Sequence, residues 1–328
     1  MRSWRVWLGF LISFIFLYLA LRGQDYALIW DSIRSADYVW LLPAIVVYFV
    51  GVAVRTVRWD YLLRGVERIR PAGLFPIVVI GYMANNVLPF RAGELVRAYA
   101  LSSRYNVRKS ASLATIGVER IFDGLTMLLF FAAASFSITL TSDLRAVFNV
   151  ASWLFAALAV GVVFFVFAPG LRDRLIEAVL SRLPARVGER VGPMAQAFID
   201  GLSIVRRRND LLGVSLASLC AWLLEASMYL MIAQAFGLDI SPLGILMVTA
   251  VANLATLIPS SPGYVGAFEY GVILVVAGAL GFGRELALSY AVVVHAALYL
   301  PVTLLGFVFW WRESLSWGAM RNAEKAAS

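Results

Sequence analysis

Between Gly81 and Tyr99 the chain reads GYMANNVLPFRAGELVRAY, an apolar stretch broken at Pro89 and Gly93 that carries Asn85, Asn86, Arg91, Glu94 and Arg97. A charge at the centre of a membrane helix costs about 2.5–3.5 kcal/mol on insertion scales, so such groups are expected to face a polar cavity or one another. Arg91, Glu94 and Arg97 follow the break at i, i+3 and i+6, the start of a returning half-helix. A guanidinium beside the free amides of a helix start suits an anion such as a lipid phosphate. Arg97 has a second role open to it, reaching for the membrane surface with its long stem. Further on, VERIFDG sets Glu119 and Asp123 four apart with Arg120 in reach of Asp123. Two roles fit these groups: contacts to a charged headgroup, or counter-charges that brace the arginines of the broken stretch.

A second break reads PSSPGYVGAFEYG. Gly263 and Gly266 permit a tight turn with close backbone approach, and Glu269 follows one helical turn on. Asn253, ahead of that break, can satisfy backbone groups left free there. His295 is the sole histidine, which excludes histidine-cluster metal sites; it suits a proton relay, a partner for Glu269, or a hydrogen-bonded packing residue. Glu225 has the same ambiguity. No Walker A sequence, dinucleotide fingerprint, aspartate-rich diphosphate motif or nucleophile elbow is present, so no cofactor or metal is expected.

These residues must be held by elements that tolerate lipid. Hydrophobic residues make up 61% of the 328 and charged ones 15%, with a mean hydropathy of +0.82. That excludes a soluble domain and indicates a polytopic membrane protein. The net charge of +8 gathers in loops between apolar runs, which is a topology signal and a surface for anionic headgroups rather than a nucleic-acid site. Cys220 is the lone cysteine, so no disulfide framework or thiolate metal site exists.

The run Trp4 to Leu21 is long enough to span and lacks a small-residue cleavage site, so a retained helix is expected. Arg22 to Asp37 reads as a non-cytoplasmic loop. A second span, about Val39 to Val54, exits into Arg55, Arg58, Arg64, Arg68 and Arg70, which the positive-inside rule assigns to the cytoplasm. If Ala72 to Leu88 simply crossed, Arg91, Arg97, Arg104, Arg108 and Lys109 would lie outside. A re-entrant hairpin turning near Pro89 removes the conflict. Four further spans are expected at Ser110 to Leu140, about Ser152 to Phe167, Leu211 to Phe236 and Leu286 to Trp311. An amphipathic, arginine-rich helical linker, about 170–209, lies on the cytoplasmic surface. A second hairpin, around Pro259 to Glu269, enters from the other side.

The expected fold is therefore all-α: one integral membrane domain over 1–328, with six full spans plus two oppositely oriented re-entrant helical hairpins. Both termini are expected in the cytoplasm, and the protein in the inner (cytoplasmic) membrane. The order of elements over about 39–140 recurs upside down over about 211–312. Inverted repeats of this kind put a transporter's site where broken helices meet. NVLPFRAGE at Asn86 to Glu94 and TLIPSSPGY at Thr256 to Tyr264 each carry proline and glycine four apart.

RAGELVR at Arg91 to Arg97, VERIFDG at Val118 to Gly124 and PGYVGAFE at Pro262 to Glu269, then a span with Tyr299, Pro301 and Gly306, also carry a family likeness. The pattern resembles the lysylphosphatidylglycerol synthase transmembrane region, or flippase-like family. In bifunctional members a soluble aminoacyl transferase domain makes the lipid that the membrane part translocates. The resemblance implies a lipid-translocating or lipid-presenting module here, with aminoacyl transfer not expected because this sequence holds no such domain. It departs from relatives in PGYVG, where a double glycine is frequent, and at His295, where many have arginine.

The expectation is a flippase-like transporter that translocates or presents an amphiphilic lipid, its phosphate headgroup sliding through a cleft between the hairpins. Arg91, Glu94, Arg97, Glu119, Arg120, Asp123, Gly263, Gly266, Glu269 and His295 are its candidate substrate-binding residues. One alternative is a membrane-embedded lipid or glycosyl transferase with Glu119 or Asp123 as base. Another is a non-catalytic partner of an envelope-lipid synthase, which would dock on the arginine-rich linker.

Overall fold

A computed structural model describes residues 3–89, 91–182, 185–202, 208–258 and 260–313, and every regular element among them is helical. The apolar run at the start forms α1, Ser3–Leu21. Arg22 to Asp37, expected as a loop, instead contains α2, Tyr26–Ser35, bent 85° from α1. Its charges mislead when counted together. Asp25 lies outside the helix and caps it, with its Oδ1 accepting the Ala27 amide at 2.8 Å, while Ile29 and Ile33 form a half-buried stripe.

The next helix, α3, spans Leu41–Leu63. The expected exit after Val54 is overturned, because the helix runs on through Arg55 and Arg58 and buries both, at 5% and 0% exposure. Clustered arginines signal a cytoplasmic loop only when water is their solvent. Here carboxylates from distant helices replace the water.

Two helix pairs follow the expected breaks. The first is α4, Pro71–Val87, and α5, Gly93–Tyr105, packed on each other. A Cβ at Gly93 would stand 2.2 Å from the Gly81 carbonyl oxygen, so only glycine lets the arms approach this closely. Between the pairs run α6, Lys109–Ser135, and α7, Ser142–Phe167. The helix at the expected third span, α6, stops short of Leu140 and is not among those apolar enough to cross, and α7, at the expected fourth, begins ahead of Ser152 because Thr141 Oγ1 accepts the Leu144 amide. The linker is helical, as α8, Pro169–Leu180, and α9, Ala185–Leu202; Arg206 and Arg207 lie outside the described residues. Then come α10, Arg208–Ala235, the second pair α11, Pro242–Ala255, and α12, Ala267–Val276, and α13, Arg284–Arg312. Arg321 and Lys325, expected in the cytoplasm, and Pro259 also lie outside the described residues.

Among the described residues, four helices are long and apolar enough to cross a membrane: α3 with its preceding turn, α7, α10 and α13. The bent α1 and α2 make a fifth if taken as one span. The protein is thus an integral membrane protein, with Trp153, Val160 and Phe167 on α7 among its exposed apolar residues. Inside, α3 lies along α10, α4 packs on α13 and α6 on α11. Trp59, Phe131, Tyr229 and Tyr290 are fully buried among them. The breaks of the two helix pairs meet in this interior: the Asn86 carbonyl lies 3.5 Å from where a Gly263 Cβ would stand.

Candidate functional site

The interior charges fall into two groups. The first converges on Glu119, whose side chain is 1% exposed. Its Oε1 accepts from Arg97 Nη1 at 3.0 Å and Arg120 Nη2 at 2.6 Å, its Oε2 from Arg97 Nη2 at 2.9 Å, and Arg58 Nη2 stands 3.2 Å away. Arg97 Cζ also lies over the Trp59 ring, 3.7 Å from its centre. Asp123, one turn along α6, accepts Arg58 at 2.5 Å and Trp222 Nε1 at 2.8 Å on one oxygen, and its other faces Arg120 at 3.2 Å. Glu94 approaches Arg120 Nε at 3.7 Å. Across the α3 and α10 contact, Arg55 donates to Glu225 at 2.7 Å and lies over the Trp222 ring.

Set against Glu94, Glu119, Asp123 and Glu225, the guanidiniums of Arg55, Arg58, Arg97 and Arg120 match one for one. Arg91 is left over: no ion pair reaches it among the described residues. It sits within the first break, ahead of α5 rather than in it, with φ at +54°. Its Nη2 donates to Thr256 Oγ1 at 3.2 Å, its guanidinium faces the Tyr264 ring at 5.5 Å, and its Nε is buried with no partner. Tyr264 also has a left-handed backbone, at +60°. Two bulky residues in that region, one from each break, mark a strained junction.

That junction divides two cavities. The inner one, about 150 Å³, is bounded by Arg55, Arg120, Asp123 and Glu225, by His295, and by tyrosines from α3, α4 and α13. The outer one, about 170 Å³, is walled by Leu88, Leu257 and Ile258 with Ser260 and Ser261. Asn85, Arg91, Thr256 and Tyr264 line both.

Of the residues singled out in the sequence, Arg91, Arg120, Asp123, Gly263 and His295 line the inner cavity. Glu94, Arg97 and Glu119 stand behind it in the ion-pair network. Gly266 turns away toward α1, where a Cβ would stand 2.6 Å from the Ser13 carbonyl oxygen, with φ at +90°. Its amide donates to Glu269 Oε2 at 2.7 Å, and the other oxygen of Glu269 faces His295 Nδ1 at 2.5 Å, so Glu269 joins the second break to α13. Asn86 ties the first break to the same helix, donating to Thr303 Oγ1 at 2.8 Å and accepting from Tyr299 at 3.1 Å. Asn253 donates to the Thr249 carbonyl at 2.9 Å and to Glu225 at 3.3 Å.

Sequence reasoning missed Arg55 and Arg58 as interior groups, and passed over Tyr48, Tyr82, Trp222 and Tyr264. One signal for the arginines was present: nothing between Val54 and Leu63 stops a helix, and Trp59 is a costly residue to leave in a loop.

The family described as the lysylphosphatidylglycerol synthase TM region matches residues 6–306. The chain belongs to this family. Among relatives of this lysylphosphatidylglycerol synthase transmembrane-region protein is Glycosyltransferase AglD of Haloferax volcanii, 28% identical over 330 residues, covering 92% of this chain and 53% of the relative. A UPF0104 membrane protein of Methanothermobacter thermautotrophicus is 28% identical over 298 residues, covering 84% of this chain and 86% of its own length. A second from that organism is 25% identical over 294 residues, with coverages of 85% and 84%. The chain thus spans about half the length of the Haloferax relative and most of the others. No solved structure matches.

Proposed function

We propose that the chain is a flippase-like module that takes up an amphiphilic phospholipid by its phosphate and translocates or presents it across the cell's inner (cytoplasmic) membrane. One observation carries this reading: Arg91, an interior guanidinium with no carboxylate partner among the described residues, sits at the junction of two cavities and between two helix breaks. A half-buried cation with no counter-charge, its Nε buried and unpartnered, is costly unless an anion visits it. The remaining charges brace the walls. The lipid tails would stay in the bilayer while the headgroup passes the Arg91 and Tyr264 junction.

The same reading takes the chain as six spans with two oppositely oriented re-entrant hairpins in an inverted repeat, about 39–140 and 211–312. Both termini and the linker at about 170–209 face the cytoplasm, where an envelope-lipid enzyme is a candidate partner. Support comes from the packing: exchanging α3 with α10, α4 with α11, α5 with α12 and α6 with α13 leaves the main neighbour relations unaltered.

A second reading, a membrane-embedded glycosyl transferase, draws on the name of the Haloferax relative. Asp123 is a poor base for it, since both its oxygens are engaged by Arg58, Trp222 and Arg120. Proteoliposomes with headgroup-labelled anionic lipids separate the two. The expected outcome is translocation by the wild-type chain that is lost in Arg91→Gln while the variant folds to wild-type levels. No transbilayer movement of any anionic lipid, with turnover of a lipid donor pair abolished by Asp123→Asn, would replace the first reading with the second.

A further inference from the structure

The family name suggests an aminoacylated, and so cationic, headgroup. The inner cavity offers such a group little. Its carboxylates are Asp123 and Glu225, and all four of their oxygens are engaged: Asp123 by Arg58, Trp222 and Arg120, Glu225 by Arg55 and, at 3.3 Å, Asn253. An ammonium would have to compete with a guanidinium at three of these oxygens and with the Asn253 amide at the fourth.

Apart from Arg91, what the cavity leaves open is largely neutral and hydrogen-bonding. The hydroxyls of Tyr48 and Tyr82, both lining it, have no hydrogen-bond partner among the described residues. The side-chain amide of Asn85 has none either, and its Oδ1 is buried. In the outer cavity the Ser260 hydroxyl is buried and unpartnered as well, and Ser260 is 6% exposed. Hydroxyls and an amide each need both a donor and an acceptor opposite them. A phosphate alone supplies acceptors. A polyol supplies O–H groups that do both, and the rings of Tyr48, Tyr82, Phe268 and Tyr299 provide apolar walls for its C–H faces.

We infer that the headgroup taken by this site is a phosphate joined to a neutral polyol or sugar, with the phosphate at Arg91 and the hydroxyls against Tyr48, Tyr82 and Asn85. The inference rests on the reading of Arg91 as the anion contact. Ser260 is placed to meet the second ester oxygen or a further hydroxyl from the outer cavity.

The test is lipid binding by the full chain, measured by native mass spectrometry or thermal shift. The probes are phosphatidylinositol, phosphatidylglycerol, phosphatidic acid, phosphatidylethanolamine and lysyl-phosphatidylglycerol with matched acyl chains, and diacylglycerol as the phosphate-free reference. The hydroxylated anionic lipids are expected to bind about tenfold tighter than phosphatidic acid or either ammonium lipid, the effect of one or two added hydrogen bonds. Tyr48→Phe with Tyr82→Phe should bring the ratio of phosphatidylinositol to phosphatidic acid affinity within about threefold. Phosphatidic acid binding as tightly as phosphatidylinositol, or an ammonium lipid binding tightest, overturns the inference and leaves the Arg91 reading standing. No preference for any phosphate-bearing lipid over diacylglycerol, in the wild-type chain, overturns the Arg91 reading itself. The wild-type ranking decides both questions if the double variant does not fold.

Discussion

Replacing Glu119 with glutamine keeps the shape of the side chain and removes the charge on which three arginines converge. Arg97 loses its bidentate partner, at 3.0 and 2.9 Å, while Arg58 and Arg120 retain Asp123. The new amide group must point N–H donors at guanidinium donors. Breaking a buried ion pair from one side costs about 3–5 kcal/mol, and because two of the three arginines keep a carboxylate the low end applies, about 3 kcal/mol. At about 1–2 °C per kcal/mol for a chain of this length, the thermal midpoint should fall by about 3–6 °C. Tryptophan emission during unfolding in nanodiscs reads this directly, since Trp59 lies under Arg97. Glu94→Gln is the comparison: its side chain is 27% exposed and 3.7 Å from Arg120, so its loss should cost less than about 1 kcal/mol. A Glu119→Gln midpoint within about 2 °C of wild type would refute the view that these charges brace the fold. A larger loss in Glu94→Gln than in Glu119→Gln would do the same.

Gly93→Ala should be strongly destabilising, because its Cβ would stand 2.2 Å from the Gly81 carbonyl and force α4 and α5 apart; loss of the monodisperse peak on size exclusion in detergent checks this, and a normal elution profile would count against the close approach. A double-mutant cycle on Arg55→Gln and Glu225→Gln should give a coupling of about 1–3 kcal/mol, since each residue is the other's buried partner across the α3 and α10 contact. Additive effects within about 0.3 kcal/mol would mean the pair carries no such link.

Much of the helical architecture was legible in the sequence because lipid leaves the backbone few choices: apolar runs long enough to span must close their own hydrogen bonds as helices. The breaks at Pro89 and Gly93 and at Gly263 and Gly266 were legible for a related reason, since proline cannot donate and only glycine adopts some of the turns required. The errors came where a local signal had a distant cause. Arg55 and Arg58 look like a cytoplasmic loop until Glu119, Asp123 and Glu225 are brought beside them, and the charges of α2 look like a loop until Asp25 is seen capping a half-buried stripe.

The sequence by itself therefore determined that this is a helical membrane protein of the lysylphosphatidylglycerol synthase transmembrane-region family, with charges set at paired helix breaks. Only the tertiary structure decided which of those charges cancel. Arg97 and Arg91 differ little as letters, both arginines of one RAGELVR motif. One is turned toward Glu119 and neutralised, and the other is held at the junction of two cavities with no carboxylate in reach among the described residues. Ion pairing acts over a few ångströms of space, and residue spacing fixes that distance only within a single helix.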